Sequence, residues 1–91
     1  MLKGNIEVVK YLVEKGADVN AHNELMGDTP LHDAVEGGQK EIIKVLIEAG
    51  AYVDITNKYG KTPRGAVEGD ERAETYDSAI AEVKAEGKEI K

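Results

Sequence analysis

Two histidines, His22 and His32, are the residues of this 91-residue chain best suited to acid–base chemistry or to metal binding. They stand ten residues apart, and no cysteine or further histidine accompanies them at a spacing typical of metal ligands. Ser78 is the one serine, so no pairing of a nucleophile with a base is indicated. The acidic residues fall on expected helix surfaces, where solvated charge is usual. We therefore expect no catalytic, metal or cofactor site and no enzymatic activity.

The stretch DTPLHDAVEGG, residues 28–38, is better explained as a helix with its start and stop signals than as a reactive cluster. Thr29 can accept a backbone N–H as the N-cap, which contributes about 1 kcal/mol. Pro30 then occupies the first helical position, where its missing N–H costs nothing. The glycines at 37 and 38 end the helix, and the same start signal recurs at Thr62 and Pro63. The apolar side of the helix that begins after Thr29 is expected to contain Leu31, Ala34 and Val35.

A second helix is predicted from about Gln39 to Ala49, with Gly50 as its left-handed stop. An extended loop follows and turns at Gly60. The apolar side of this helix is expected to contain Ile42, Ile43, Val45, Leu46 and Ile47.

The chain also repeats itself. Residues 4–20 align with residues 38–54 at a spacing of 34, with eight identical residues. The Gly-x-Thr-Pro pattern that begins at Gly27 recurs at Gly60 with a spacing of 33, because the first loop is one residue longer. A period of this length indicates an array of stacked supersecondary units.

The segments TPLH (29–32) and GNIEVVKYLVEKGADVN (4–20) resemble the ankyrin repeat family, over roughly residues 1 to 70. The resemblance implies a mostly α solenoid of stacked antiparallel helix pairs with projecting β-hairpin-like loops. It also implies a non-catalytic protein–protein interaction module. For His32 it implies hydrogen bonds within its own repeat and to the neighbouring one.

We expect a single domain, residues 1–91, in four parts. A half-repeat with its loop occupies residues 1–28, a full repeat residues 29–61, and the start of a degenerate repeat residues 62–70. In that last unit Arg64 and Gly65 replace Leu31 and His32. Residues 71–91 are expected to form a C-terminal cap helix, with a partner-binding helix or a short dimerising coil as alternatives. The apolar stripe of this helix contains Ala73, Tyr76, Ile80 and Val83.

The resemblance places partner binding on the loop tips and on the exposed side of the first helix. Leu25, Met26 and Tyr59 are the strongest candidates, because exposed apolar and aromatic side chains dominate binding energies. The alternative is that Leu25 and Met26 fold back over their loop. The complete set of expected partner-binding residues is His22, Asn23, Glu24, Leu25, Met26, Asp28, Asp33, Glu36, Asn57, Lys58, Tyr59 and Lys61.

Charge narrows the class of partner. The net charge is −6, and residues 17–60 hold eight acidic residues against three lysines. Such a surface repels nucleic acid and attracts a basic protein, although it could serve only to solubilise the chain. No apolar run is long enough to span a membrane. The lack of cysteine fits the cytoplasm or another reducing intracellular compartment.

A different function is an assembly role. The N-terminal half-repeat leaves an apolar helix side uncovered, which favours weak self-association through residues 1–16. The chain would then be a homo-oligomerising piece rather than a receptor for another protein.

Overall fold

A computed structural model describes residues 10, 11, 13–16, 18–22 and 24–91. Three α-helices follow in order: α1 (Pro30–Glu36), α2 (Lys40–Glu48) and α3 (Glu71–Ala85). A short 3-10 helix, Gly65–Val67, lies between α2 and α3, and residues 10, 11, 13 and 14 are also helical. The described residues include no β-strand. The prediction of a mostly α fold is confirmed.

Helix α1 begins as its sequence predicts. Thr29 has an extended backbone and its Oγ1 accepts the His32 N–H at 3.4 Å, while Nδ1 of His32 accepts the Thr29 N–H at 3.1 Å. Each residue therefore satisfies an N–H group of the other, which is a capping box with histidine in the position usually held by Glu or Gln. Pro30 occupies the first turn.

All three α-helices end in the same hydrogen-bonded motif. The residue after each cap is a glycine with positive φ: Gly38 (65°), Gly50 (100°) and Gly87 (80°). At α2, for example, the N–H of Gly50 donates to the Ile47 carbonyl and that of Ala51 to the Leu46 carbonyl, both at 3.0 Å. This is the Schellman arrangement, which satisfies the last carbonyls of a helix and requires a left-handed residue.

One apolar core joins the three helices. Helix α3 packs mainly against α2, and α1 contacts both. Burial differs from the predicted apolar sides in two details. Val45 is only half-buried, and in α3 Ala79 is fully buried while Ile80 is partly buried and packs against the core. The buried hydrophobic residues are Leu31, Ala34, Val35, Ile42, Ile43, Leu46, Ile47, Ala51, Val67, Ala73, Tyr76, Ala79 and Val83.

Two predicted helix lengths also differ from the structure. Helix α2 is one residue shorter at each end than expected, because Gln39 and Ala49 serve as its caps. Helix α3 ends at Ala85, so residues 86–91 do not continue it. The chain instead turns at Gly87, where the Lys88 N–H donates to the Val83 carbonyl at 3.2 Å. Ile90 then packs against the core.

Ion pairs add to the contact between α3 and the rest of the chain. Glu82 accepts from both Lys40 and Lys44 of α2, the latter at 3.0 Å. The Arg64 guanidinium forms a two-point pair with Asp77, at 2.9 and 3.0 Å. The Arg64–Asp77 pair is exposed and the Lys44–Glu82 pair is only partly buried, so both orient α3 more than they stabilise it.

Candidate protein-binding surface

Two neighbouring loops project from the helices. We call residues 20–28 the first tip loop and residues 54–61 the second tip loop. In the first, the Nδ1 of His22 lies 2.7 Å from the Gly27 carbonyl. Because a carbonyl oxygen only accepts, Nδ1 carries the proton in this bond. His22 therefore closes the first tip loop on itself, although its ring is largely exposed.

Backbone contacts join the two tip loops directly. The Lys58 N–H donates to the Met26 carbonyl at 2.9 Å, and its Nζ donates to the Glu24 carbonyl at 2.6 Å. Gly27 lies at this junction with φ of 72°. A Cβ atom there would stand 3.1 Å from the Lys58 backbone nitrogen, so the close approach requires glycine.

Asn57 fixes the conformation of the second tip loop. Its Oδ1 accepts the N–H groups of Tyr59 at 2.9 Å and Lys61 at 3.1 Å, and its own N–H donates to the Lys61 carbonyl at 2.9 Å. Its Nδ2 donates to Oδ1 of Asp28 in the first tip loop at 2.9 Å. Asn57 thus holds its own turn and connects it to the neighbouring loop.

Sequence reasoning placed Asn57 at the tip but missed this positioning role. The available signal was an asparagine three residues before a glycine, since asparagine side chains often bond to the backbone two residues on.

Asp28 does not lie where the sequence placed it. It was expected at an exposed tip, but only 5% of it is accessible. Its carboxylate faces inward because it accepts the hydrogen bond from Asn57. Asp28 therefore helps to hold the two tip loops together, and most of its side chain is inaccessible to a partner.

The apolar residues of the tips are strongly exposed. Leu25 is 87% exposed, Tyr59 67% and Met26 42%. The alternative that Leu25 folds back over its loop is therefore wrong. Exposed apolar side chains on a backbone fixed by hydrogen bonds are favourable binding anchors, because little further ordering is needed on association.

The outer side of α1 carries two carboxylates, Asp33 and Glu36, since its other positions face the core. Burial raises the pKa of Asp33, and the nearby Asp28 charge raises it further. Burial raises the pKa of Glu36 as well, followed by repulsion from Asp28 and Asp33. Asp33 and Glu36 are therefore close enough to neighbouring negative charge for their own ionisation to be disfavoured.

His32 is structural in this arrangement. It is completely buried, and Nε2 lies 2.8 Å from the Lys61 carbonyl while Nδ1 accepts from Thr29. Nε2 must be the protonated nitrogen, because its partner only accepts. The expected bonds of His32 within its own repeat are confirmed, since Thr29 and Lys61 are the first and last residues of residues 29–61. A bond from His32 to the neighbouring repeat stays a prediction.

The remaining predicted binding residues vary in exposure. Glu24, Lys58 and Lys61 are exposed, while Asn57 and Asp33 are half-buried. Asn23 lies outside the described residues. Their role in binding stays a prediction.

No group of three His, Asp or Glu side chains within the described ranges could hold a metal ion. The helices described there are too short or too polar to cross a membrane.

Comparison with known proteins agrees with the repeat pattern. A model of ankyrin repeats, in three copies, matches residues 1–63. Human protein phosphatase 1 regulatory subunit 27 is 43% identical over 70 residues, which cover 77% of this chain and 45% of that protein. Mouse 2-5A-dependent ribonuclease is 44% identical over 61 residues, covering 67% of this chain and 8% of the ribonuclease.

A fly protein, the Drosophila melanogaster E3 ubiquitin-protein ligase Ufd4, is 45% identical over 60 residues, which cover 66% of this chain and 2% of the ligase. The chain thus spans less than half the length of each of these relatives, and the matches to the two enzymes cover only small parts of them. The repeat signature, the capping box and the match over residues 1–63 agree: the chain belongs to the ankyrin repeat family, whose repeats generally mediate protein–protein interaction and are typically non-catalytic.

Proposed function

We propose that this chain is a non-catalytic module that binds a protein partner through its two tip loops and the outer side of α1. One observation carries the proposal: Leu25, Met26 and Tyr59 are exposed on loops whose backbones are fixed to each other. Exposed apolar and aromatic side chains on a fixed backbone are favourable binding anchors, because little further ordering is needed on association.

The test compares two variants of the chain as baits for partner capture. In the first, Leu25, Met26 and Tyr59 are all changed to Asp. In the control, Tyr52→Asp replaces an aromatic residue that is 49% exposed but lies outside both tip loops. Circular dichroism confirms that each variant is folded.

We expect a partner that the unchanged chain and the Tyr52→Asp control retain and that the triple variant loses. Equal capture by all three would contradict binding at the tips. The size of the expected loss is large, because anchors of this type each contribute more than about 1 kcal/mol.

Self-association through residues 1–16 remains a prediction, since residues 1–9 and 12 lie outside the described ranges. A mass that rises with concentration in light scattering would support it. The expected cytoplasmic location is also still a prediction, which imaging of the tagged chain would test.

A further inference from the structure

We propose that the tip surface receives a short basic segment of a protein, with apolar side chains on Leu25, Met26 and Tyr59 and a Lys or Arg over Asp33 and Glu36. This inference rests on the proposed function and adds the chemistry of the partner. It assigns two different tasks to two parts of one surface, the apolar tips and the acidic side of α1.

The apolar part is preorganised for a side chain to rest on it. Met26 is tied to the second tip loop through its carbonyl, and Tyr59 is tied to Asn57 through its N–H. The backbone on both sides of the apolar patch is therefore fixed before any partner arrives. Association then orders few additional groups, which lowers its entropic cost.

The acidic part selects the sign of the partner's charge. Asp33 and Glu36 lie on the outward side of α1, and the buried Asp28 adds a third negative charge that acts on both. The Arg72 charge partly offsets this repulsion at Glu36. Its guanidinium, however, is bonded to the Asp70 carboxylate and to the backbone carbonyl of Glu36, the latter at 2.6 Å, and not to the Glu36 carboxylate. A partner's cation placed over Asp33 and Glu36 would offset the repulsion that these two carboxylates experience.

Asp28 joins the two parts of the surface. It follows Met26 by two residues and accepts a hydrogen bond from the Asn57 side chain of the second tip loop. Its charge also raises the pKa values of Asp33 and Glu36 on α1. Asp33 and Glu36 are about 4.5 Å apart along the helix axis, given its rise per residue. Because Asp28 directly precedes Thr29, the N-cap of α1, and also bonds to the second tip loop, the acidic side of α1 begins where the first tip loop ends, within reach of one short segment.

Charge also separates this occupant from others. The whole chain has a net charge of −6, so a second copy would bring further negative charge to an acidic surface. A phosphate backbone would be repelled for the same reason. A basic peptide is the occupant that gains from both the apolar and the acidic part.

The experiment uses the full chain as bait against two peptide libraries displayed on phage. Both libraries fix apolar residues at alternate positions. One fills the other positions with Lys, Arg and neutral residues, and the second fills them with Asp, Glu and neutral residues. We expect binders from the basic library only, with an affinity that weakens as salt is raised.

The best peptide is then synthesised and titrated into variants by calorimetry. Asp33→Asn with Glu36→Gln should weaken binding about tenfold. Asp28→Asn should weaken it less, and it keeps an oxygen that can accept the Asn57 hydrogen bond. The control, Glu41→Gln with Glu74→Gln, removes two exposed charges elsewhere and should leave binding unchanged.

Several outcomes would overturn the inference. Equal recovery from both libraries, no binder from either, or equal binding by the Asp33/Glu36 variant and the control would each reject a basic occupant. In these cases binding at the tips could still stand. If instead the peptide binds a variant with Leu25, Met26 and Tyr59 all changed to Ser as well as it binds the unchanged chain, the proposed function itself fails.

Discussion

The two Thr-Pro units of this chain begin alike and end differently. In both, the threonine hydroxyl accepts the N–H of the residue three positions on, from His32 at 3.4 Å and from Gly65 at 3.0 Å. The first unit continues as the seven-residue helix α1, whereas the second forms only the three-residue 3-10 helix Gly65–Val67. A helix cap is therefore sufficient to start a turn but not to extend it.

Two positions explain the difference. Leu31 is fully buried in the core, but its counterpart Arg64 is only half-buried and pairs with Asp77 of α3. His32 completes the capping box, whereas Gly65 has no side chain to do so and has a low helix propensity. The second unit has lost both its apolar anchor and half of its cap.

Helix α3 follows the shortened second unit and packs mainly against α2. It contributes four buried residues to the core, and Arg64 and Asp77 connect the shortened unit to it. Its assignment as the cap of the array stays a prediction, and the first experiment below tests it.

The largest expected effect comes from removing α3. We expect a chain lacking residues 71–91 to lose cooperative unfolding, because the deletion removes four buried residues from a core that is already small. These residues are Ala73, Tyr76, Ala79 and Val83. A truncation after Gly87, which keeps α3, should still unfold cooperatively. Urea unfolding followed by circular dichroism checks both, and a cooperative transition in the shorter chain would contradict the cap assignment.

The next effect separates Leu31 from Arg64. Leu31→Ala should destabilise the fold by about 2–5 kcal/mol, since it leaves a cavity in the core. Arg64→Ala should change stability little, because the pair it breaks with Asp77 is exposed. Unfolding midpoints of the two variants measure the difference. Similar losses in both would show that the two units contribute equally.

A smaller effect distinguishes the glycines of the two tip loops. Gly27 and Gly60 have nearly the same φ, 72° and 73°, but only Gly27 has neighbours within 4 Å of an added Cβ. Gly60→Ala should cost about 1–2 kcal/mol for the left-handed conformation alone. Gly27→Ala should cost more, since it also separates Lys58 from Met26. Equal costs in thermal unfolding would mean that the junction between the loops adjusts freely.

The smallest effect is on the pH dependence of stability, which has opposite signs for Glu82 on α3 and for Asp33 and Glu36 on α1. Hydrogen bonds from Lys40 and then Lys44 hold the pKa of Glu82 below its usual 4.5. That stabilisation is present above pH 4.5 and is lost as the pH falls through the lowered pKa. The pKa values of Asp33 and Glu36 are raised instead, so the cost of their charges is present at neutral pH and is relieved on acidification.

Two variants check these signs by urea midpoints at neutral and at acidic pH. Glu82→Gln should reduce the loss of stability below pH 4.5, because that carboxylate no longer titrates. Asp33→Asn with Glu36→Gln should raise stability at neutral pH and remove the gain on mild acidification. An unchanged pH profile in either variant would contradict the corresponding assignment.

The sequence by itself determined the repeat family and the local start and stop of the helices. Thr29, Pro30 and the glycines after α1 and α2 act through nearest neighbours, so their residue types are enough to predict them. The same local pattern predicted that Arg64 and Gly65 would weaken the second unit. The observed ends of α2 and α3 differ from the predicted ends by one to several residues, because the final turn of a helix depends on the hydrogen bonds that the next segment can make.

Tertiary structure alone decided where burial departs from the predicted apolar sides and how the surface is held. Asp28 is buried and Asn57 bridges two loops because residues 29 positions apart meet there, a distance that no local pattern encodes. Ala79 rather than Ile80 is fully buried because the position of α3 on α2 selects the contacting side. The raised pKa values of Asp33 and Glu36 likewise follow from charges and burial brought together by folding.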